Sequence, residues 1–304
     1  MKKIFIIIIH YQGLDLTGKC LESLQRIESA NNLIETIVVV NNSQENMESL
    51  RAEFSQVKFM MTGENLGFSA GNNIGIRYAL KAEADYVILL NNDTLVDSGF
   101  VVALIEAAEK YRQGGIFSPK IYFAPGYEFH HDRYRNKDRG KVIWFAGGEV
   151  DWANIATPHR GVDEVDHGQY DRIKKIEFAS FCATLIKSNV FKQIGLLDER
   201  YFLYYEDADF CQRAIRAGFD LFYVPASRVW HQVAASSKIG GVLQDYFMVR
   251  NQLLFGWSFA PWRAKFALFK QSLKFLIFGR PWQRKAVIDF CLRKFGRGSW
   301  PERL

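Results

Sequence analysis

The chain has 304 residues, 48% hydrophobic and 24% charged, which excludes a disordered chain and allows one sizeable core or two modest ones. Its net charge of +6 is unevenly placed: from Trp262 onward eleven Lys or Arg stand against Asp289 and Glu302, a local +9, while the rest carries 28 basic and 31 acidic residues. No apolar run approaches the ~20 residues needed to span a bilayer, and no recognised nucleic-acid motif accompanies the basic segment, so nucleic acid is not expected as a partner.

The first apolar run, residues 4 to 9, mimics a signal peptide. It is too short for one and ends at His10 without a small-residue cleavage site, so it reads as a buried first strand. Next comes Gly13-Leu14-Asp15-Leu16-Thr17-Gly18-Lys19-Cys20, which matches a P-loop except at its last residue. A thiol is a poor magnesium ligand and Asp15 would put negative charge in a phosphate cradle, so an ordinary turn into a helix is the better reading. Leu21, Leu24 and Ile27 mark that helix; Ile74, Ile76, Tyr78, Ala79 and Leu80 mark another. Between and after them, residues 36 to 40, 57 to 61 and 86 to 90 are further apolar, β-branched runs. Strands alternating with helices imply an α/β fold, a parallel sheet covered on both faces, with ligands beyond the strand C-termini. No GxGxxG follows any strand, so a nicotinamide-binding domain is unsupported.

The residues just past those strands are therefore the candidate lining: His10-Tyr11-Gln12, Asn41-Asn42-Ser43, Glu64-Asn65-Leu66-Gly67 and Asn91-Asn92-Asp93. A lone carboxylate such as Asp93 can hold Mg2+ or Mn2+ while leaving coordination sites for substrate phosphates, although Asp93 also suits a loop or helix-capping position. Residues 121–175 turn loop-like, and His130-His131-Asp132 lacks a spaced third ligand, so it reads as solvated loop. Cys20, Cys182, Cys211 and Cys291 lack CxxC spacing and fit reduced thiols in a cytoplasmic protein.

Residues 178 to 231 concentrate acids among aromatics: Asp198, Glu199, Glu206, Asp207 and Asp209, with Tyr201, Phe202, Tyr204, Tyr205 and Phe210 around Glu206-Asp207. Two readings stay open. A partly desolvated carboxylate is tuned for proton transfer, or both acids stabilise the start of a helix running to about Ala217. In the tail, Trp262, Phe266, Phe269, Leu273, Leu276 and Ile277 recur at helical spacing beside Arg263, Lys270 and Lys274. Such a helix suits an anionic membrane surface; packing on the main domain or binding a partner is the alternative.

In chain order, CLESL, VVVNNS, ENLGFSAGNN, VILLNND, then WFAGGEVDW, HRG, DHGQYD, IGLLDERYFLYYEDADFCQRAIRAGF and YVPASRVWH resemble the family 2 glycosyltransferases of GT-A fold, nearest the bacterial rhamnosyltransferase-like branch. The resemblance runs to about Asn251. It implies a GT-A domain over residues 1–258, a mostly parallel central sheet flanked by helices, with 121–175 an elaboration within it and 259–304 a basic amphipathic helical tail. It implies that His10, Tyr11, Asn41, Asn42 and Ser43 line the base and ribose pocket, with Asn41 where the family usually has aspartate, and that Asn65, Gly67, Asn72 and Asn92 border the nucleotide. Asp93 matches the last acid of the DxD-like metal motif and His231 a further metal or diphosphate contact. Arg250, in an RN pair, would meet the phosphates or serve a salt bridge. Asp207 matches the catalytic base with Glu206 orienting it, and Phe181 stands where glycine is usual. The implied activity is an inverting, metal-dependent transfer from a dTDP- or UDP-sugar, rhamnose among the candidates, to a glycan or lipid-linked acceptor in surface polysaccharide synthesis. The enzyme would be cytoplasmic, its tail docking at the inner face of the cell membrane. The rival readings are a non-catalytic nucleotide-sugar binder, suggested by Asn41 and Phe181, and a P-loop NTPase dependent on Lys19.

Overall fold

The computed structural model describes residues 1–233 and 241–301, apart from the side chain of His131. The first half alternates as the apolar pattern predicts: β1 (Lys3–His10), α1 (Leu14–Leu24), β2 (Leu33–Val40), α2 (Glu48–Glu53), β3 (Lys58–Met61), α3 (Gly67–Lys81), β4 (Tyr86–Asn91), β5 (Thr94–Val96) and α4 (Phe100–Lys110). Strands β3, β2, β1 and β4 lie side by side and parallel, with β1 central, and Ile4 to Ile8 are wholly buried between two helical layers. Helix α3 approaches β1 closely: a Cβ on Gly75 would lie 2.6 Å from Ile7 Cγ2. Ile27, taken as part of the first helix, falls beyond its end at Leu24.

The second half extends the sheet with β6 (Gly114–Phe123), β7 (Ile143–Phe145), β8 (Lys174–Ile176), β9 (Ala183–Lys187) and β10 (Asp220–His231), and adds α5 (Ser188–Ile194) and α6 (Glu206–Arg216). Beyond β4 the order is β9, β6, β10, β5; β9 is antiparallel to β4 and β6, while β6 and β10 are parallel. The loop-rich stretch also carries strand the sequence did not reveal: the end of β6, all of β7, which pairs with β6, and the start of β8, which pairs with β10. Its far end is held by the buried Lys120, whose ammonium reaches Asp166 at 2.7 Å and Asp171 at 2.5 Å. His130 bonds Asp163 at 2.7 Å, as a solvated loop residue rather than part of a metal cluster; the His131 side chain lies outside the description.

The P-loop reading is overturned. Residues from Leu14 onward are already helix, Lys19 pairs on the surface with Asp15 at 2.6 Å, and Cys20 is buried with its thiol toward Asn91 O. No loop remains there to cradle phosphates. Three further helices close the described chain, α7 (Val242–Phe259), α8 (Trp262–Phe278) and α9 (Pro281–Cys291). Helix α9 is tied to α7 by Tyr246 donating to the buried Asp289 and by Arg280 paired with Asp245. Residues 302–304 of the expected tail lie outside the described residues.

Candidate active site

The chain runs from β1 outward to β3, then returns to place β4 on the other side of β1. Such a reversal opens a crevice beyond the strand ends. Its floor is a hydrogen-bonded chain. Asn92 donates to Gln12 O at 3.0 Å and to Thr17 Oγ1 at 2.9 Å. Thr17 gives its own proton to Gly13 O, so its oxygen accepts from His10 Nδ1 at 2.8 Å. His10 Nε2 is then left to accept from Ser43 Oγ at 3.0 Å, with Glu45 3.3 Å away. Burial lowers the His10 pKa, opposed by Glu45, which suits this neutral tautomer.

The next strand end is tied just as tightly. Asn41 Nδ2 donates to Asn65 Oδ1 at 3.1 Å and to Gly67 O at 3.2 Å, and its Oδ1 accepts from Leu66 N at 2.9 Å. Aspartate could make only the last of these bonds. The departure from the family pattern at this position therefore has a structural cause: the amide clasps the 65–67 loop to β2.

At the end of β4, Asp93 meets His231 from the end of β10. Asp93 Oδ1 lies 3.2 Å from His231 Nε2, an ion-pair contact when the imidazole is protonated, and it has no other hydrogen-bond partner; His231 Nδ1 is buried without a hydrogen-bond partner. The backbone brings them together, because Gln232 N donates to Asp93 O at 2.7 Å and His231 pairs with Thr94. Burial disfavours the imidazolium, but Cys182 and the Asp93 carboxylate outweigh it and hold His231 well above its ordinary pKa. An orphaned carboxylate oxygen beside an imidazole fits a divalent cation that takes its remaining ligands from phosphate and water. Among the described residues no group of three His, Cys, Asp or Glu is placed to hold a metal unaided.

Glu206 and Asp207 open α6, after two consecutive left-handed residues, Tyr204 (φ 72°) and Tyr205 (φ 71°). Bulky residues adopt this conformation only where surroundings enforce it. Asn251 does so, donating to Leu203 O and Tyr204 O at 2.8 Å each, while Tyr205 Oη donates to Ile155 O at 2.8 Å. The turn delivers Asp207 onto the helix start, where its carboxylate accepts from Ala208 N at 2.8 Å. Burial pushes the Asp207 pKa up to about 6, moderated by backbone N–H groups including that of Phe181. Glu206 is more deeply buried; desolvation first and the Asp207 charge second raise it well above the ordinary range, and its Oε2 has no partner. Helix start and tuned carboxylate are thus both properties of this pair.

The structure sorts the candidates. Tyr11, Asn42, Ser43, Asn65 and Asn92 keep exposed surface at the strand ends, whereas His10, Asn41, Gly67 and Asn72 are buried and support the loops there. Arg250 must be corrected. It is 0% exposed, and its guanidinium contacts Asn251 Oδ1, Tyr246 Oη, Lys294 O and Arg200 O, which removes it from any phosphate. Neither is it in a salt bridge. It holds Asn251, which holds the turn before Asp207. Sequence reasoning also missed Thr17, the link between His10 and Asn92, and the aromatic wall of Trp144 and His159 beside His231. The Trp144 ring lies 4.7 Å from His231 and 4.5 Å from His159. Burial pushes the His159 pKa down to about 4, so it stays neutral. The HRG and WFAGG segments were the available signals. Two hollows, of about 260 Å³ against α8 and about 640 Å³ around residues 168–174, lie among other residues.

A strand-order reversal with a carboxylate at the strand end, and a buried acidic pair opening a later helix, suit the GT-A class of sugar-transferring folds. The chain belongs to glycosyl transferase family 2, whose profile matches residues 5–194. Among curated relatives, it is 26% identical to the low-salt glycan biosynthesis hexosyltransferase of Haloferax volcanii, over 82% of this chain and 74% of that one. It is 23% identical to a dTDP-rhamnosyl transferase of Shigella flexneri, over 72% and 69% respectively. With the N-acetylglucosaminyl-diphospho-decaprenol L-rhamnosyltransferase of Mycobacterium tuberculosis it shares 28% identity over 60% of this chain and 61% of that one. These relatives put it with the rhamnosyltransferase-like branch.

Among solved structures, GalNAc-T7 with UDP, GalNAc and Mn2+ superimposes with a TM-score of 0.60 at 17% identity, over 76% of this chain; the chain spans 44% of that protein. The mannosyltransferase of Pyrobaculum calidifontis in complex with GDP-Man and Mn2+ gives 0.55 at 13% identity, covering 99% of this chain and 77% of that one. At these identities the likeness concerns the fold. The protein is a glycosyltransferase using nucleotide-sugar donors.

Proposed function

We propose that this enzyme transfers a sugar, rhamnose first among candidates, from a dTDP- or UDP-sugar to a hydroxyl of a glycan or lipid-linked acceptor in surface polysaccharide synthesis, with inversion and with Mg2+ or Mn2+. The observation that carries the reading is the contact of Asp93 with His231 at the end of β4, where Asp93 Oδ1 and His231 Nδ1 are buried with no hydrogen-bond partner. The activities named for the Shigella and Mycobacterium relatives support the rhamnosyl donor and the lipid-linked acceptor.

In this reading Asp93 and His231, the latter giving up its proton, would hold the cation, which when bound would neutralise the departing diphosphate. Asp207 accepts the proton of the acceptor hydroxyl as that oxygen forms its bond to the anomeric carbon; the bond to the diphosphate oxygen breaks on the opposite face, and nucleoside diphosphate leaves with that electron pair. Burial, and then the Asp207 charge, favour the neutral form of Glu206, which limits the charge beside the base. Tyr11, Asn42, Ser43, Asn65 and Asn92 contact the nucleotide. The non-catalytic alternative loses its support at Asn41, whose amide has a structural use.

The test is a thermal-shift panel of nucleotide sugars with and without Mn2+, paired with nucleoside-diphosphate release. A dTDP- or UDP-sugar that raises the midpoint only with metal, and is turned over with inverted product, supports the proposal. Equal shifts without metal, or a product of retained configuration, would refute it.

A further inference from the structure

Helix α8 packs against the rest of the protein by its smaller side. Its buried residues are Ala264 and Leu268, with Leu268 and Ile155 both against Gly256 of α7. The large apolar side chains point outward: Trp262 is 73% exposed, Phe266 54% and Ile277 61%, and Phe269, Leu273 and Leu276 are exposed along the same stripe. Trp257 before the helix and Phe278 at its end, 78% exposed, extend the patch. Soluble surfaces rarely leave a contiguous apolar area of this kind uncovered.

The charges identify what covers it. Residues 262–278 contain Arg263, Lys265, Lys270 and Lys274 and no acid. Arg280, Arg284, Arg293 and Lys294 follow, all exposed. Arg263 lies over the Trp262 ring and Lys270 over Phe266, so cations rim the aromatic stripe. A second copy meeting this face would set basic residue against basic residue, which opposes self-association. Anionic lipid headgroups complement the rim, while Trp and Phe suit the headgroup–acyl boundary. No described helix is long and apolar enough to cross a membrane.

We propose that the outer face of α8, from Trp262 to Phe278, docks the enzyme flat on an anionic bilayer surface. The placement bears on catalysis: Leu268 of α8 and Ile155 both lie against Gly256 of α7, and Ile155 O accepts the bond from Tyr205, two residues before Asp207. Docking thereby sets the base turn close to the bilayer, where a lipid-linked hydroxyl would be presented. That consequence rests on the transferase reading above; the docking itself does not.

The experiment is co-sedimentation of the full chain with phosphatidylcholine vesicles, with and without about 30 mol % phosphatidylglycerol, at low and high salt. The parent is expected to sediment with the anionic vesicles, less so at high salt, and not with neutral ones. R263E/K270E/K274E should weaken binding on the order of a hundred-fold, and F266S/F269S/L273S should abolish it. Circular dichroism and donor-induced thermal shift should match the parent in both variants, since none of these residues lies in the site. Absence of anionic-vesicle binding by the parent, parent-like binding by both variants, or a dimer that either variant dissolves would overturn the proposal. Failure of donor shift and turnover alongside intact vesicle binding would count against the transferase reading alone.

Discussion

Gly67 and Phe202 meet with no room for a side chain between them: a Cβ on Gly67 would fall well inside contact distance of the Phe202 carbonyl and ring. Phe68 N donates to that same carbonyl at 2.7 Å. The loop beside the proposed nucleotide site is thereby fastened to the loop leading into Glu206 and Asp207. Gly67 also has φ +78°, which strains any other residue there. Gly67→Ala should cost about 1–3 kcal/mol from the backbone alone, and more from the overlap. A denaturation midpoint unchanged from the parent would contradict this; weakened donor binding should accompany the loss.

Asn41→Asp, which restores the residue usual in the family, should here destabilise the protein. The new carboxylate would confront Gly67 O and Asn65 Oδ1, and Asn65 cannot turn its amide without releasing Gly67 N, which it accepts at 3.0 Å. Leaving such groups unpaired costs roughly 1–3 kcal/mol. Urea unfolding of the two proteins at neutral pH measures it, and greater stability of the aspartate variant would remove the structural explanation for Asn41.

The strands of the first half were legible because buried parallel strands read as continuous apolar runs, as residues 4 to 9 and 86 to 90 do. The same logic located Asp93 and the crevice. It missed β6 to β9: β7 and β8 are three residues long and have no period to detect, and β6 and β9 lie outside the strand–helix alternation of the first half. It also misjudged Arg250. An arginine near a phosphate site and one buried against Tyr246 and Asn251 look identical in one dimension, and only tertiary packing separates them. His10 and Asn72 were placed at the right strand and helix, but burial decides whether a polar side chain faces substrate or supports the loop that does.

Asn251→Ala removes both donors from Leu203 O and Tyr204 O, and with them the restraint on the two left-handed tyrosines. The turn should relax and displace Asp207. Because the strain is local, kcat should fall by at least ten-fold while donor affinity changes little. A steady-state comparison separates the two parameters, and an equal loss in both would point to general destabilisation instead.

Asp93→Ala should abolish the Mn2+-dependent part of any donor-induced thermal shift, since it deletes the orphaned oxygen beside His231. The metal-independent part, made by residues such as Ser43 and Asn65, should survive. Isothermal titration with Mn2+ and nucleoside diphosphate checks this directly; undiminished metal dependence would place the cation elsewhere.

Asp207 ties activity and stability together through one proton. Its pKa in the folded protein is raised from 3.8 to about 6, so a base role predicts kcat/KM rising with pH through about 6 and levelling above it. The stability effect has the opposite slope. Between those two values the folded state holds a proton that the unfolded chain has released, so stability falls as pH rises across this window. Above about 6 the full penalty is present, at most ~3 kcal/mol for such a shift. Asp207→Asn should therefore lose activity by about 10²-fold or more, yet be more stable than the parent at pH 7.5 and indistinguishable from it near pH 4. Melting curves of both proteins at the two pH values test the second half. A variant that is inactive and also less stable at pH 7.5 would mean that Asp207 serves the fold, through its bond to Ala208 N, rather than the reaction.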